Sequence, residues 1–330
     1  MRLSIIIPYY NTGRWIGRML DSLLDQGIPS SEYEIIVVDD GSSEKPIVVK
    51  DYVTRYPQIK YHRINHQGLS PARNYGLSVS AGKWIYFCDS DDFLQPKVLG
   101  TIIDKAEERQ LEIIHAGNVR ISEHSPIPNP KRNFDSVSET QTGYEFLGNP
   151  PTSYSWGIWA YLFRTSVIKD LLFEDLMYIE DGLFMLKLLP EIHRIAHIDV
   201  TLYYYVQRNS SILHFTKKKN GQDYLSAWSI YHERLSAMIE DPSTPEQTAK
   251  SLSYKREIAS YKLISEAFLY CPVRDTIKTI SLLSDRNCYP LKVAGSGRFG
   301  RLCKLINHRS LWIFLCRIFH ILPLWVRERI

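Results

Sequence analysis

Three carboxylates fall within four positions at Asp89-Ser90-Asp91-Asp92, directly after the apolar, aromatic-rich run Trp84-Ile85-Tyr86-Phe87-Cys88. Such a run predicts a buried strand, so the acids stand at its carboxyl end. Like charges that close raise one another's pKa values, a cost that a divalent cation removes. Hard ions such as Mg²⁺ or Mn²⁺ prefer oxygen ligands and commonly take one or two carboxylates together with substrate phosphates. In open α/β sheets, ligands bind beyond the carboxyl ends of the strands, where this cluster lies. The plainer alternative is a helix cap, with Asp91 or Asp92 preceding a helix that Pro96 opens. We expect both, one carboxylate capping and another on metal. Two more acidic pairs invite attention: Asp39-Asp40, closing an apolar run, and Glu180-Asp181, heading a predicted helix.

The elements that must position these acids read as alternating strands and helices. Residues 3–7 form a β-branched run closed by Pro8, and residues 34–38 form a second ending in Asp39-Asp40-Gly41-Ser42-Ser43. Between them, Ile16, Met19, Leu20, Leu23 and Leu24 share one face of a helix over residues 15–26, stopped by Gly27. A helix over 47–56 and a strand over 59–63 follow; then Gly68-Leu69-Ser70-Pro71 opens a helix with Ser70 at the cap and Pro71 in the first turn. This alternation predicts right-handed crossovers and a mostly parallel sheet flanked by helices. Residues 96–109 read as a helix and 113–116 as a strand, whereas 122–151, rich in Pro, Asn and Ser, read as a mobile loop. Strand character returns at 156–164, 195–198 and 202–206. Helical spacing covers 224–239, 245–270 and 273–284. We therefore divide the chain into an α/β domain over 1–216, with a nucleotide-facing half to about 120 and an acceptor half from about 121, and a helical region over 217–330.

Composition excludes several classes. Over 330 residues, 44% hydrophobic and 23% charged content is ordinary for a soluble globular protein. A net charge of +4 leaves no global nucleic-acid footprint. Five scattered cysteines without CxxC spacing argue against disulfides or zinc and for a reducing cytoplasm. The amino terminus lacks a signal-peptide pattern, and no apolar stretch is long enough to span a bilayer. From Gly295 onward, however, seven Arg and Lys residues stand against Glu328 alone, interleaved with Trp312, Phe314, Phe319 and Trp325. That pattern fits a helix lying on an anionic membrane surface; the alternative is a helix docked on the core. We take the first, which places the protein in the cytoplasm, peripheral on the inner face of the membrane.

Four elements in order carry a resemblance: Pro8-Tyr9-Tyr10-Asn11, Asp39-Asp40-Gly41-Ser42, Gly68-Leu69-Ser70-Pro71-Ala72-Arg73-Asn74 and Asp89-Ser90-Asp91-Asp92. Together they resemble the family-2 glycosyltransferases of GT-A (Rossmann-like) fold, motif by motif over residues 3–94 and more loosely through Glu180-Asp181 and residues 202–212. The resemblance implies an inverting transfer from a UDP-sugar to a glycan or lipid-linked acceptor with Mn²⁺ or Mg²⁺, in bacterial polysaccharide or lipopolysaccharide synthesis. It assigns nucleotide-sugar contacts to Pro8, Tyr9, Asn11, Asp39, Asp40, Arg73, Asp89 and Ser90. In this assignment Asp40 accepts from the uracil imide, Pro8 and Tyr9 wall the ring, Arg73 reaches the diphosphate and Asp89 faces the ribose. Asp91 becomes the metal ligand, and Asp181 the base that takes the acceptor proton, oriented by Glu180. Further candidates are Asp92, Trp156, Arg208 and His214.

Two other readings fit less well. A nucleotidyltransferase normally carries a Gly-rich, Lys/Arg-bearing loop after its first strand, where this chain has Tyr9-Tyr10-Asn11-Thr12-Gly13. A non-catalytic nucleotide-sugar-binding protein has no need for Asp91 and the later acids, all of which are present.

Overall fold

A computed structural model describes residues 1–150, 154–176, 178–208, 221–292 and 298–321. The chain divides into two compact units, Met1–Asn209 and Ser210–Ile330.

The first unit is built on one nine-stranded sheet. Strands β1 (Leu3–Tyr9) and β2 (Tyr33–Asp39) are buried at every position, as uninterrupted β-branched runs covered on both faces should be. Helix α1 (Gly13–Leu24) connects them and buries Ile16, Met19, Leu20 and Leu23. Helix α2 (Ile47–Arg55), β3 (Ile59–Arg63), α3 (Leu69–Ser78) and β4 (Trp84–Phe87) follow in order. β1 pairs in parallel with β2 on one side and β4 on the other, and β2 pairs in parallel with β3. The direction of winding thus reverses at β1, and the loops after β1, β2 and β4 open into one crevice, the usual ligand position in such sheets.

Beyond β4 the sheet is mixed. After the two-residue β5 (Phe93–Leu94) and α4 (Leu99–Glu108) come β6 (Ile113–Ser122), β7 (Arg132–Val137), α5 (Gly143–Gly148), β8 (Tyr161–Arg164), α6 (Thr165–Ile168), α7 (Glu180–Leu188) and β9 (Ile195–Gln207). The strand order is β3-β2-β1-β4-β8-β6-β9-β5, with β7 on β9. β8 runs antiparallel to both β4 and β6.

Several sequence expectations need correction here. Neither Asp91 nor Asp92 caps α4. Its amino-terminal N–H groups at Val98 and Leu99 donate instead to Oε1 of the buried Gln26, at 3.3 and 3.1 Å. Ser70 does not cap α3, which begins one residue earlier after Gly68 without a side-chain cap; its hydroxyl donates to the Leu176 carbonyl at 3.5 Å. The segment 122–151 is not an unstructured loop, since it contains β7 and α5, the latter opened by a capping box between Thr142 and Glu145. The two short strands expected near the end of this unit are one, β9, and its pairing with β6 shifts register around Gly117.

The second unit contains α8 (Gly221–Glu240), α9 (Glu246–Tyr270), α10 (Val273–Asp285), α11 (Arg298–Asn307) and α12 (Arg309–Ile321). Its core joins Leu263, Ile264, Ile280 and Leu283 to Cys303, Trp312 and Cys316, and Phe268 packs on Trp312 and Phe319 with centroids 4.6 and 4.8 Å apart. Part of the tail's apolar side is therefore core. Leu311, Phe314 and Ile318, at 45%, 58% and 41% exposure, face outward. All five cysteines are free and buried. Among the described residues, no helix is long and apolar enough to cross a membrane.

One buried pair in the sheet links pH to stability. His115 of β6 and His197 of β9 are register partners with their Nδ1 atoms 2.9 Å apart, a hydrogen bond that requires at least one neutral ring. Burial, with His197, pushes His115 from its usual 6.5 down to about 3, and burial lowers His197 as well. Groups whose folded pKa is depressed contribute stability above the unfolded pKa and lose it as pH falls. The urea midpoint should therefore drop steadily as pH is lowered from 6.5 toward 3. His115→Phe, which removes the proton-uptake site, should flatten that slope in the same titration.

Candidate active site

The crevice is lined first by the turn after β2. Asp39, fully buried, accepts from the Ser42 N–H at 2.7 Å, from the Tyr61 hydroxyl and from Arg63 at 3.2 Å. It locks a turn that also needs Gly41: with φ at 72°, an added Cβ there would lie 2.8 Å from the His66 nitrogen. Asp40 accepts from the Gln67 and Gly68 N–H groups, each at 2.8 Å, and its Oδ2 lies 2.8 Å from Nδ1 of His66. His66 in turn stacks on Tyr10, with ring centroids 4.3 Å apart and planes 14° from parallel. Tyr9, expected beside a base, is 1% exposed and donates to Glu44 at 2.6 Å. As a strand residue it points into the core, and the half-open ring beside Asp40 is Tyr10. Pro8 is buried within β1. Asn11, with φ at 51°, accepts from the Ser43 and Glu44 N–H groups at 2.9 and 3.1 Å and so braces the same turn.

The deepest feature is an ion cluster around Arg73. Only 2% exposed, Arg73 donates through Nη1 to Glu180 at 3.0 Å and Asp181 at 2.6 Å, and through Nη2 to Asp89 at 3.2 Å. Its guanidinium also lies over Phe173, 5.3 Å from the centroid. The helix start that was to present Arg73 to a diphosphate thus directs it to carboxylates brought from the β4 loop and from α7. Burial pushes Glu180 and Asp181 up, while Arg73 pulls both down. The other Asp181 oxygen accepts from the Ile158 N–H at 3.1 Å, so the carboxylate is held at both ends while its side chain keeps 19% exposure. Immediately before it, Ile179 adopts a left-handed conformation with φ at 64°, which for a β-branched residue costs on the order of 1–2 kcal/mol.

The acidic loop after β4 separates its three carboxylates. Asp92 turns inward, 1% exposed, and accepts from the Tyr203 hydroxyl and the Val206 N–H, both at 2.7 Å. Burial, with Asp89 adding, pushes it up to about 7. Tyr203 also accepts from the Asp89 N–H at 3.1 Å, fixing the loop. Ser90 pairs with Thr12 at 2.7 Å. Asp89 and Asp91 remain open, with side chains 29% and 30% exposed. Asp91 forms an ion pair with Arg208, whose guanidinium lies 4.4 Å over the Trp15 ring. Arg18 donates to the Asp91 carbonyl at 2.9 Å.

Of the remaining candidates, Trp156 is half-buried, packed edge-on against Tyr154 at 5.5 Å, and His214 lies outside the described residues. No group of three or more His, Cys, Asp or Glu among the described residues could hold a metal ion. Asp91 nevertheless fits a hard cation by donor type: a Mg²⁺ or Mn²⁺ ion completed by phosphate and water needs only one or two protein carboxylates. Tyr10, Trp15, Arg18 and His66 carry no role in the sequence reading. The spacing of Trp15 and Arg18, one turn apart on the polar side of α1, was the signal available for two of them.

Comparison with known proteins now bears on this geometry. Residues 4–171 match the glycosyl transferase family 2 profile. The uncharacterized glycosyltransferase EpsJ of Bacillus subtilis is 27% identical over 303 residues, covering 82% of this chain and 87% of EpsJ. The poly(ribitol-phosphate) beta-N-acetylglucosaminyltransferase TarS of Staphylococcus aureus is 26% identical over 213 residues, 63% of this chain but only 36% of TarS. Among solved structures, S. aureus TarS 1-349 in complex with UDP-GlcNAc aligns with a TM-score of 0.66 at 21% identity, covering 94% of this chain and 90% of that one. The mannosyltransferase PcManGT from Pyrobaculum calidifontis, in complex with GDP-Man and Mn²⁺, gives 0.55 at 14% identity, covering 97% and 87%. The structural likenesses establish the fold, and the profile spans half the chain, including the strand-end loops that line the crevice. The chain therefore belongs to glycosyl transferase family 2 and is a glycosyltransferase of GT-A fold.

Proposed function

We propose that this glycosyltransferase moves a sugar from a UDP-sugar to a hydroxyl of a glycan or lipid-linked acceptor, with inversion, in a single metal-assisted displacement. The observation that carries the reading is the convergence of Asp89, Glu180 and Asp181 on Arg73, with Asp89 two residues from the partly exposed Asp91. Asp181 is the base. Arg73 and the Ile158 N–H fix its direction; burial raises its pKa, as suits a proton acceptor, and Arg73 opposes that rise. Glu180, on the same guanidinium, holds Arg73 in place. Asp91 holds Mn²⁺ or Mg²⁺, which when bound supplies Lewis-acid stabilisation of the departing diphosphate. The nucleotide's uracil ring stacks on the Tyr10–His66 pair, beside Asp40. The TarS complexes with UDP and UDP-GlcNAc support uridine as the nucleotide.

The relatives and the second unit support a setting for this reaction. TarS is named for a sugar transfer to poly(ribitol-phosphate), which supports a role in bacterial surface polysaccharide assembly. The outward stripe of Leu311, Phe314 and Ile318 accompanies exposed Lys304, Arg309 and Arg317, with no acidic residue anywhere from 298 to 321. Such a surface suits anionic lipid, which would keep the enzyme near a lipid-linked acceptor.

Four outcomes test this. Calorimetric titration should show Mn²⁺-dependent binding of UDP but not of GDP or CDP. In the same assay Asp181→Asn should bind UDP normally while its turnover falls on the order of 10²–10⁴-fold; unimpaired turnover would remove Asp181 as base. Arg73→Met should lower unfolding stability by about 3–5 kcal/mol, because three carboxylates lose their buried counter-ion, a change that urea denaturation would measure. In flotation assays the protein should co-migrate with phosphatidylglycerol vesicles but not phosphatidylcholine vesicles, and Leu311→Ser/Phe314→Ser/Ile318→Ser should abolish that association.

A further inference from the structure

Asp91 is met by a cation from its own chain. The Arg208 side chain is 5% exposed where it pairs with the Asp91 carboxylate, and Trp15 covers its guanidinium. Yet Nε and Nη1 of Arg208, together with Nε of Arg18, are buried without a hydrogen-bond partner. Unmet buried donors are costly. A carboxylate already occupied and a cluster of idle guanidinium donors lie side by side. One ligand answers both features: phosphate oxygens accept from guanidinium groups, and a hard cation between those oxygens takes the carboxylate.

We propose that Arg208 is an internal counter-ion of Asp91, which a divalent cation must displace, and that the displaced guanidinium turns its idle N–H groups onto the donor diphosphate. Metal and nucleotide then bind as a linked pair. Metal alone competes with Arg208, and nucleotide alone competes with Asp91 for Arg208. Together each takes what the other releases, and by linkage each strengthens the other equally. The inference rests on the functional reading above, in which Asp91 is the metal ligand.

The test uses the full chain, with Mn²⁺ binding followed by the paramagnetic resonance of the free ion and UDP binding by calorimetry. Arg208→Gln should tighten Mn²⁺ binding without nucleotide by about tenfold, within the usual span of coupling between linked sites. It should also erase most of the mutual strengthening between Mn²⁺ and UDP. Arg18→Gln removes a neighbouring charge that donates to the Asp91 carbonyl rather than to its carboxylate, and should leave nucleotide-free Mn²⁺ affinity nearly unchanged. A second measurement is independent of how well the Arg208 variant folds. Asp91→Asn frees Arg208, so UDP should bind this variant more tightly than wild type in EDTA, and adding Arg208→Gln should cancel the gain. Unchanged Mn²⁺ affinity in folded Arg208→Gln overturns the inference, as does Asp91→Asn binding UDP no better in EDTA. If wild type binds Mn²⁺ and UDP together while either of those results holds, this inference alone falls. If wild type binds neither, the functional reading falls with it.

Discussion

A guanidinium removed from water has to be paired wherever it lies, and the position of Arg73 therefore constrains three segments at once. Removing one partner from a buried ion pair is costly, because the other charge stays behind uncompensated. Here one cation answers three carboxylates, so the α3 start, the β4 loop and the α7 start are fixed relative to one another. What allows Arg73 to reach that depth is close packing of its own helix. Ala72 is fully buried, and at Gly76 an added Cβ would lie 2.4 Å from Ile6 Cγ2. A larger residue at Gly76 would lift α3 from β1 and carry the guanidinium away from the acids it holds.

The acidic loop after β4 shows how one short motif serves three neighbours. Asp89 turns to Arg73, Asp91 to Arg208, and Asp92 to Tyr203 and the β9 backbone. Distribution among separate partners lowers the mutual repulsion that three adjacent acids would otherwise carry. It also divides the crevice chemically: ion-paired carboxylates gather on the Arg73 side, and guanidinium donors without a hydrogen-bond partner gather on the Arg208 side. The buried Asp92 is what holds the division in place, since its hydrogen bonds tie the loop to β9, the strand that leads to Arg208.

Much of this was legible in the sequence, and the parts that were not share a physical reason. Buried parallel strands announce themselves as continuous β-branched runs, so β1, β2 and the acids that end β2 and β4 were plain. Partners far apart in sequence leave no local trace: Arg73 and Asp181 are 108 positions apart, and Gln26 caps a helix 72 positions away. The residue types were read correctly as chemistry, but the direction each side chain takes came only with the fold. β7 and α5 were lost for a different reason, because a run of Pro, Asn and Ser outweighed the Thr142-to-Glu145 capping signature within it.

The carboxy-terminal helices show the limit of composition in another way. Trp312, Phe314 and Phe319 look alike as a hydrophobic inventory, and all three were assigned to one outward surface. Helical geometry splits them: Trp312, Cys316 and Phe319 lie along the face that packs on Phe268 and its neighbours, whereas Leu311, Phe314 and Ile318 recur at three- and four-residue steps on another face. A helix apolar on two faces belongs either in a larger core or between a core and a second apolar phase. The absence of any acid between residues 298 and 321 favours the second, because a face destined for an ordinary protein core gains nothing from uniformly positive flanks, and a face meeting anionic lipid does.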